Sequence, residues 1–492
     1  MSMIKVENLT FSYPSGYDSV FENVSFQIDT DWKLGFVGRN GRGKTTFLNL
    51  LLGKYEYSGK IISSVKFDYF PYEVADESAV TCDILEEICP AAEQWEIIRE
   101  LSYLGSDADI LYRPFCTLSN GERTKALLSA LFLNEGHFLL IDEPTNHLDA
   151  QARQLVSDYL KRKKGFILVS HDRRFLDGCV DHILSINRAD IEVRNGNFSV
   201  FMENFERQQE SEAAKNDRLR KDIKRLSESS KRVAAWSDSA EAVKHERNSG
   251  LRPDRGFVGH KVAKTMKRAK SIEYRQQQAI EEKQGLLKNL ETAESLKISP
   301  LSHHCDTLIS FDSVEIDYGG GAVCAPVSFS VKRGERTVLD GRNGSGKSSI
   351  LKLCLENSDI PHTGTVTRAS GLVISYVPQD TSFLRGTLSE LAEERGIDES
   401  LFKAILRKMD FERAQFEKDM SDFSGGQKKK ALIAASLCEK AHLYIWDEPL
   451  NFIDVYSRMQ IENLIKEFEP TMLLVEHDRA FREAAATMTI EL

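Results

Sequence analysis

The architecture predicted for this chain is α/β and doubled, with a long helical arm between the halves, and three observations predict it. A glycine-rich loop occurs twice, as Gly38-Arg39-Asn40-Gly41-Arg42-Gly43-Lys44-Thr45 and Gly341-Arg342-Asn343-Gly344-Ser345-Gly346-Lys347-Ser348, each between an apolar strand-like run and a helix-like one. The same further motifs follow both copies in the same order, so the unit repeated is a whole domain. The segment between the copies, roughly ninety residues, is basic and helix-patterned.

In the first half, alternating patterns at Ile4 to Phe11 and Val24 to Ile28 read as strands, and Leu34-Gly35-Phe36-Val37 leads into the first loop. The apolar runs Phe138 to Ile141 and Phe166 to Val169 read as buried parallel strands that end in polar residues, where a doubly wound sheet places its ligand contacts. The second half repeats the plan at Val338-Leu339, Leu443 to Trp446 and Met472 to Val475. The expected domains are 1–205 and 301–492, joined by a linker over 206–300.

Within the linker, Leu219, Ile223, Leu226, Val233 and Trp236 recur at helical spacing, as do Val262, Met266, Ala269, Ile272, Leu286, Leu290 and Ala293 on the return. This predicts an antiparallel helical hairpin. Asn248 to Gly256 is dense in turn residues and breaks it, with a tip loop near 240–262. Forty helical residues at 1.5 Å each give an arm on the order of 60 Å, more than a connector needs.

The net charge is −10, yet residues 215 to 275 hold 18 Lys/Arg against 8 Asp/Glu. Acidic domains therefore flank a cationic arm, which suits a phosphate-rich partner. No run approaches the length of a membrane span, and Met1 to Glu7 lacks the form of a signal peptide, so the expectation is a cytoplasmic chain without a membrane partner. The eight cysteines show no paired C-x-x-C spacing and read as reduced core thiols.

The loops carry phosphate chemistry. Gly38, Gly41 and Gly43 let backbone N–H groups turn inward around phosphate oxygens, Lys44 adds a point charge and the Thr45 hydroxyl suits Mg²⁺. Asn40 and Thr46 complete the first nucleotide-binding set. Gly341, Asn343, Gly344, Gly346, Lys347, Ser348 and Ser349 repeat it. Asp142 and Asp447 end apolar strands, placed to hold Mg²⁺, and Glu143 and Glu448 follow them as groups that orient an attacking water. His171 and His477 close the next strands and face the γ-phosphate or that water. Ser119 and Gly121 in Leu118-Ser119-Asn120-Gly121-Glu122, and Ser424, Gly425, Gly426 and Gln427 in the second copy, each open a helix whose N-terminus can meet a phosphate. Such a pentapeptide alone is often an ordinary helix cap.

With Asp142-Glu143-Pro144-Thr145-Asn146-His147-Leu148-Asp149, two copies on one chain and a charged helical linker, the sequence resembles the ATP-binding-cassette proteins of the F subfamily over essentially its whole length. The resemblance implies two tandem phosphate-loop NTPase domains that close head to tail around two ATP molecules, hydrolysed to ADP and phosphate. Ser424 then completes the Lys44 site and Ser119 the Lys347 site. It also implies that Tyr13 and Tyr318 stack on adenine and that Gln379 touches Mg²⁺. Three departures stand out. Phe70-Pro71-Tyr72 replaces the glutamine motif Val377-Pro378-Gln379, Asn120 replaces a signature glycine, and Leu450 and Phe452 stand where the first copy has Thr145 and His147. The two sites are expected to be unequal, and Asn120 to be tolerated because Asn accepts positive φ.

Relatives of this subfamily act on the 70S ribosome, and the chain is similar to the Lsa/Vga-type branch that gives resistance by ribosome protection. Its supporting features are the long tip, the Pro449-Leu450-Asn451 variation and the short interval of 75 and 77 residues from Lys44 to Ser119 and from Lys347 to Ser424. The branch implies binding at the exit-tRNA site in the ATP form, the tip reaching toward 23S rRNA and P-site tRNA, no stable protein subunit, and protection against lincosamides, pleuromutilins and streptogramin A. Lys244, Arg247, Arg252, Arg255, Phe257, His260, Lys261 and Lys264 form the expected RNA-binding tip. A housekeeping translation factor, a transporter ATPase and a non-catalytic scaffold are the other classes. The transporter has no use for a basic arm, and the scaffold none for two catalytic carboxylates.

Overall fold

The computed structural model describes residues 2–14, 19–146, 148–187, 190–243, 296–319, 324–342, 344–355, 359–411 and 413–492, with Lys264, Lys267, Ser271, Ile272, Tyr274, Arg275 and Gln278 besides. It divides into two compact units, Met1–Phe201 with Ala293–Leu492, and Met202–Thr292.

In the first cassette, β1 (Met3–Ser12) pairs antiparallel with β2 (Ser19–Asp29) and β4 (Ser58–Ile62), and the burial of β1 alternates as a sheet with one dry face requires. β3 (Lys33–Val37), β5 (Lys66–Phe70), β6 (His137–Asp142), β7 (Phe166–Val169), β8 (His182–Asn187) and β9 (Asp190–Asn195) form the second sheet in the order β5-β6-β7-β3-β8-β9. All its pairings are parallel except β8 with β9. Every residue of β7 is buried, as a strand covered on both faces must be.

The second cassette repeats the plan. β10 (Thr307–Ile316) pairs antiparallel with β11 (Val327–Lys332) and β13 (His362–Arg368). β12 (Arg336–Asp340), β14 (Ile374–Val377), β15 (Leu443–Asp447), β16 (Met472–Val475) and β17 (Met488–Glu491) make a parallel sheet ordered β14-β15-β16-β12-β17. The expected buried runs are parallel strands in both halves, and the α/β class with two tandem cassettes stands. In each sheet the loop-bearing strand, β3 or β12, is flanked by the strand that ends in His171 or His477, and next to that lies the one that ends in the acidic pair. Three functional strand ends thus share one sheet edge.

Phe198–Val243 is one continuous helix of 46 residues, about 70 Å at 1.5 Å per residue, and belongs to the other unit from Met202 on. Lys264, Lys267, Ser271, Ile272, Tyr274, Arg275 and Gln278 are helical too. The predicted turn at 248–256 and most of the predicted return helix lie outside the described residues. Among the described residues no helix is long and apolar enough to cross a membrane.

All eight cysteines are free. The core-thiol expectation fails at Cys116, which is exposed: it sits in the short turn Phe115–Thr117, where its amide is spent on Glu77 and its side chain is left at the surface.

Candidate nucleotide sites

Each phosphate loop is shaped by a glycine in the left-handed region. Gly43 and Gly346, with φ of 91° and 86°, are the residues before helices Lys44–Leu51 and Lys347–Leu353. A β-carbon on Gly43 would also lie 2.6 Å from Val20, so no other residue fits. Gly41 and Gly344 are left-handed as well, at 82° and 85°. Lys44 Nζ donates to the carbonyls of Gly38 at 2.8 Å and Arg39 at 3.2 Å, and Lys347 Nζ to those of Gly341 and Arg342 at 2.8 and 2.7 Å. Each ammonium is held within its own loop. Burial lowers the pKa of Lys44, opposed by Asp454, Glu143 and Asp142.

Thr45 Oγ1 donates to Asp142 at 2.9 Å, so the hydroxyl and carboxylate expected to share a metal already face one another. Tyr69 donates to the same carboxylate at 3.1 Å. Burial raises the pKa of Asp142, and pushes that of Asp447 up to about 6. Glu143 and Glu448, each directly after a strand, both adopt positive φ, 49° and 46°, a conformation that costs a residue with a β-carbon. His171 Nε2 stands 3.4 Å from Glu143 and His477 Nε2 3.6 Å from Glu448. Burial and then Asp142 push Glu143 up to about 8. Glu448 is also pushed up by burial, but His477, Asn451 and Gln379 together hold it below the usual range. Glu143 Oε1, Asp447 Oδ1 and both ring nitrogens of His477 are buried without a hydrogen bond. That set of unspent acceptors and donors suits a metal, a water and a phosphate oxygen.

The halves meet across these sites. A cavity of about 650 Å³ is lined by Ser119, Asn120, Gly121 and Asp149 of the first cassette and by Arg342, Gln379, Glu448 and His477 of the second. Around the first loop, Asn40 Nδ2 donates to the carbonyl of Phe452 at 2.6 Å, and a β-carbon on Gly426 would lie 2.4 Å from that carbonyl oxygen and 2.9 Å from Asn40 Nδ2. Gly426 is therefore required by close approach. The structure thus brings Ser119 to the Lys347 side and the Ser424 motif to the Lys44 side. Ser119 and Ser424 cap their helices through capping boxes with Glu122 and Gln427, as an ordinary helix cap does.

A match to the family model described as ABC transporter covers residues 21–146 and 324–451, more than half of the chain. The chain belongs to that family, as an ATPase of its F branch. Its similar proteins include the ribosome protection protein VmlR of Bacillus subtilis (strain 168), 27% identical, with 96% of this chain and 84% of that one aligned. The energy-dependent translational throttle protein EttA of Haemophilus influenzae is 26% identical, with 96% and 89% aligned. The solved archaeal ribosome recycling factor aABCE1, in complex with stalk protein aP1, shares the fold at a TM-score of 0.63 and 18% identity, over 98% of this chain and 87% of that one.

In this ABC ATPase, Tyr13 and Tyr318 are partly exposed beside the loop helices, their hydroxyls 2.7 Å from Thr46 and 2.8 Å from Ser349. Each loop thus carries its own exposed ring. Asn343 and His147, and the tip residues Lys244, Arg247, Arg252, Arg255, Phe257, His260 and Lys261, lie outside the described residues; Lys264 is helical and exposed. Asn120 needs a correction. It opens a right-handed helix and does not take positive φ, so a glycine was never required there for its backbone freedom. Tyr72 is partly exposed, and Gln379 Nε2 donates to Glu448 at 2.9 Å, a contact the first site has no amide to make.

Sequence reasoning missed two arginines, Arg458 buried and Arg153 partly buried. Arg153 bonds the Leu148 carbonyl and Asp172, and Arg458 bonds the carbonyls of Leu450 and Ile453 and Asp478 at 2.8 Å. Each ties the loop after the acidic pair to the segment after the histidine. Their signal was the repeated spacing Asp149–Arg153 and Asp454–Arg458. A further group, His303, His304 and Cys305, brings ligand types within 4.8 Å, but both ring nitrogens of His303 are spent, on Cys305 N and the Ser370 carbonyl. Two donors remain, too few for a metal centre.

Proposed function

We propose that this ATPase binds the 70S ribosome at the exit-tRNA site in its ATP-bound form, protects translation from lincosamides, pleuromutilins and streptogramin A, and is released by hydrolysis. The observation that carries this reading is that the likeness to a ribosome protection protein runs through the arm as well as the cassettes, over 96% of the chain. The segment 215–275, with 18 Lys/Arg against 8 Asp/Glu, suits a phosphate-rich surface, where charge contacts dominate. The cytoplasm is the matching compartment. The domain plan is 1–205 and 301–492 for the cassettes and 206–300 for the arm.

At each site Glu143 or Glu448 orients the water and accepts its proton, with His171 or His477 beside it toward the γ-phosphate. The loop lysines, Lys44 and Lys347, turn from their carbonyls to the phosphates. Thr45 with Asp142, and Ser348 with Asp447 and Gln379, would hold Mg²⁺, which would supply positive charge against the bound phosphates. Tyr13 and Tyr318 stack on the bases. The tip residues Lys244 to Lys264, with Phe257 on an unpaired base, meet 23S rRNA or P-site tRNA.

The match to EttA supports a second reading, a translation factor that raises no drug tolerance. Expression in a susceptible strain separates the two. Wild type is expected to raise tolerance to the three drug classes at least fourfold, and the Glu143→Gln, Glu448→Gln and Phe257→Ala variants to lose most of that gain. Tolerance unchanged by wild type, with ATP-loaded double mutant still co-sedimenting with 70S particles, assigns the translation factor. No co-sedimentation ends both ribosomal readings.

A further inference from the structure

We infer that the interface between the cassettes is latched on one side only: charged pairs clamp the first phosphate loop and the segment after His171 to the second cassette, so nucleotide leaves the Lys44 site more slowly than the Lys347 site. This rests on the two ATP sites and not on the ribosomal reading.

The latch begins at Asp410. Its carboxylate stands 3.7 Å from Arg39 and 3.4 Å from Arg42, both in the first loop, and the Arg39 guanidinium lies 5.7 Å from the ring of Tyr456. On the other flank, Arg173, two residues after His171, forms a two-pronged pair with Glu462, whose side chain is nearly buried. Arg174 beside it pairs with Glu483. Arg39, Arg42, Arg173 and Arg174 all belong to the first cassette, and their acids to the second. Opening the first site parts Asp410 from both loop arginines.

The duplication supplies the control. Asp410 and Gly105 are equivalent: both are left-handed, at φ of 65° and 63°, and both precede their signature serine by 14 residues. Ser345 occupies the place of Arg42, Ser157 that of Glu462 and Ala480 that of Arg174. None of these can form an ion pair. Arg479, the counterpart of Arg173, bonds Glu483 of its own helix at 2.9 Å instead. Among the described residues, opening the second site therefore meets no reciprocal set. Asp410 accepts a backbone conformation where glycine is the easier residue, and the return for that strain is the contact with two arginines. Part-exposed ion pairs are weak singly, but a network broken together adds.

The test is release of methylanthraniloyl-ADP from the full-length chain into excess ATP, followed by fluorescence. Wild type is expected to show two phases of equal amplitude, and Lys347→Ala only the slow one. Asp410→Gly and Arg42→Ser, each the residue of the other half, are expected to speed the slow phase about tenfold without touching the fast one. Gly105→Asp with Ser345→Arg is expected to slow the fast phase. A single phase in wild type, or a slow phase unchanged by Asp410→Gly and Arg42→Ser in chains that melt as wild type does, overturns the latch. No binding of the probe to wild type overturns the nucleotide sites themselves.

Discussion

ATP turnover is expected to fall at least about a hundredfold when Glu143→Gln and Glu448→Gln are combined, while ATP binding persists and the closed form accumulates. Glutamine keeps the size and one acceptor of the side chain but cannot take a proton from water. The two carboxylates sit at equivalent strand ends, in the same left-handed conformation and within 3.4 and 3.6 Å of their histidines. Their surroundings differ. Glu448 receives Asn451 at 2.6 Å and Gln379 at 2.9 Å, two amide donors that fix its direction and favour its ionised form. Glu143 has Tyr72 where the second site has Gln379, and burial beside Asp142 favours its neutral form. Glu448→Gln alone is therefore expected to cost more turnover than Glu143→Gln alone. A phosphate-release assay on the two single variants and the double decides it. Unchanged turnover in the double removes both residues from the chemistry, and equal loss in the singles removes the asymmetry.

What the sequence made legible was whatever repeats and whatever is periodic. β7 and β16 have the bounds their apolar runs indicate, because a strand buried on both faces has little choice of residue. The phosphate loops were legible because Gly43 and Gly346 meet a backbone demand no other residue satisfies. Asn120 was misjudged because a glycine in a motif was read as a φ requirement. The same motif shows the real constraint at Gly426, where the Phe452 carbonyl leaves no room for a β-carbon. Asp410 could not be found by motif, since its meaning lies in contact with a loop some 370 residues earlier in the chain. Gly105 and Asp410, at equal distance from their signature serines, share a backbone conformation and differ in charge. The arm shows the other limit. Its first helix followed from spacing, whereas the roles of its tip depend on a surface outside this chain.

Asp454→Ala is expected to destabilise the second cassette by about 3–5 kcal/mol, the scale for removing one partner of a buried ion pair. The Asp454 carboxylate lies 2.7 Å from Lys430 Nζ, and both side chains are almost wholly buried. It also caps helix Val455–Phe468 by accepting from Ser457 N at 2.9 Å. Alanine removes the cap and leaves the ammonium with the Met409 carbonyl as its remaining acceptor. Asp454→Asn separates the two losses, because it keeps a capping oxygen worth about 1 kcal/mol and discards the charge. Lys430→Met with Asp454→Asn is expected to recover stability relative to Asp454→Asn alone, since no unpaired charge is then buried. The pH dependence has a definite sign. Burial opposes ionisation of Asp454, but Lys430 and the Ser457 amide win and depress its pKa. A depressed carboxylate contributes stability in full above its unfolded pKa of about 4, and that contribution drains as pH falls from there toward the folded value. The difference in urea midpoint between wild type and Asp454→Asn should therefore be constant from pH 7 to about 5 and shrink below about 4. A difference that stays constant down to pH 3 would show that the carboxylate is not held by the charge of Lys430.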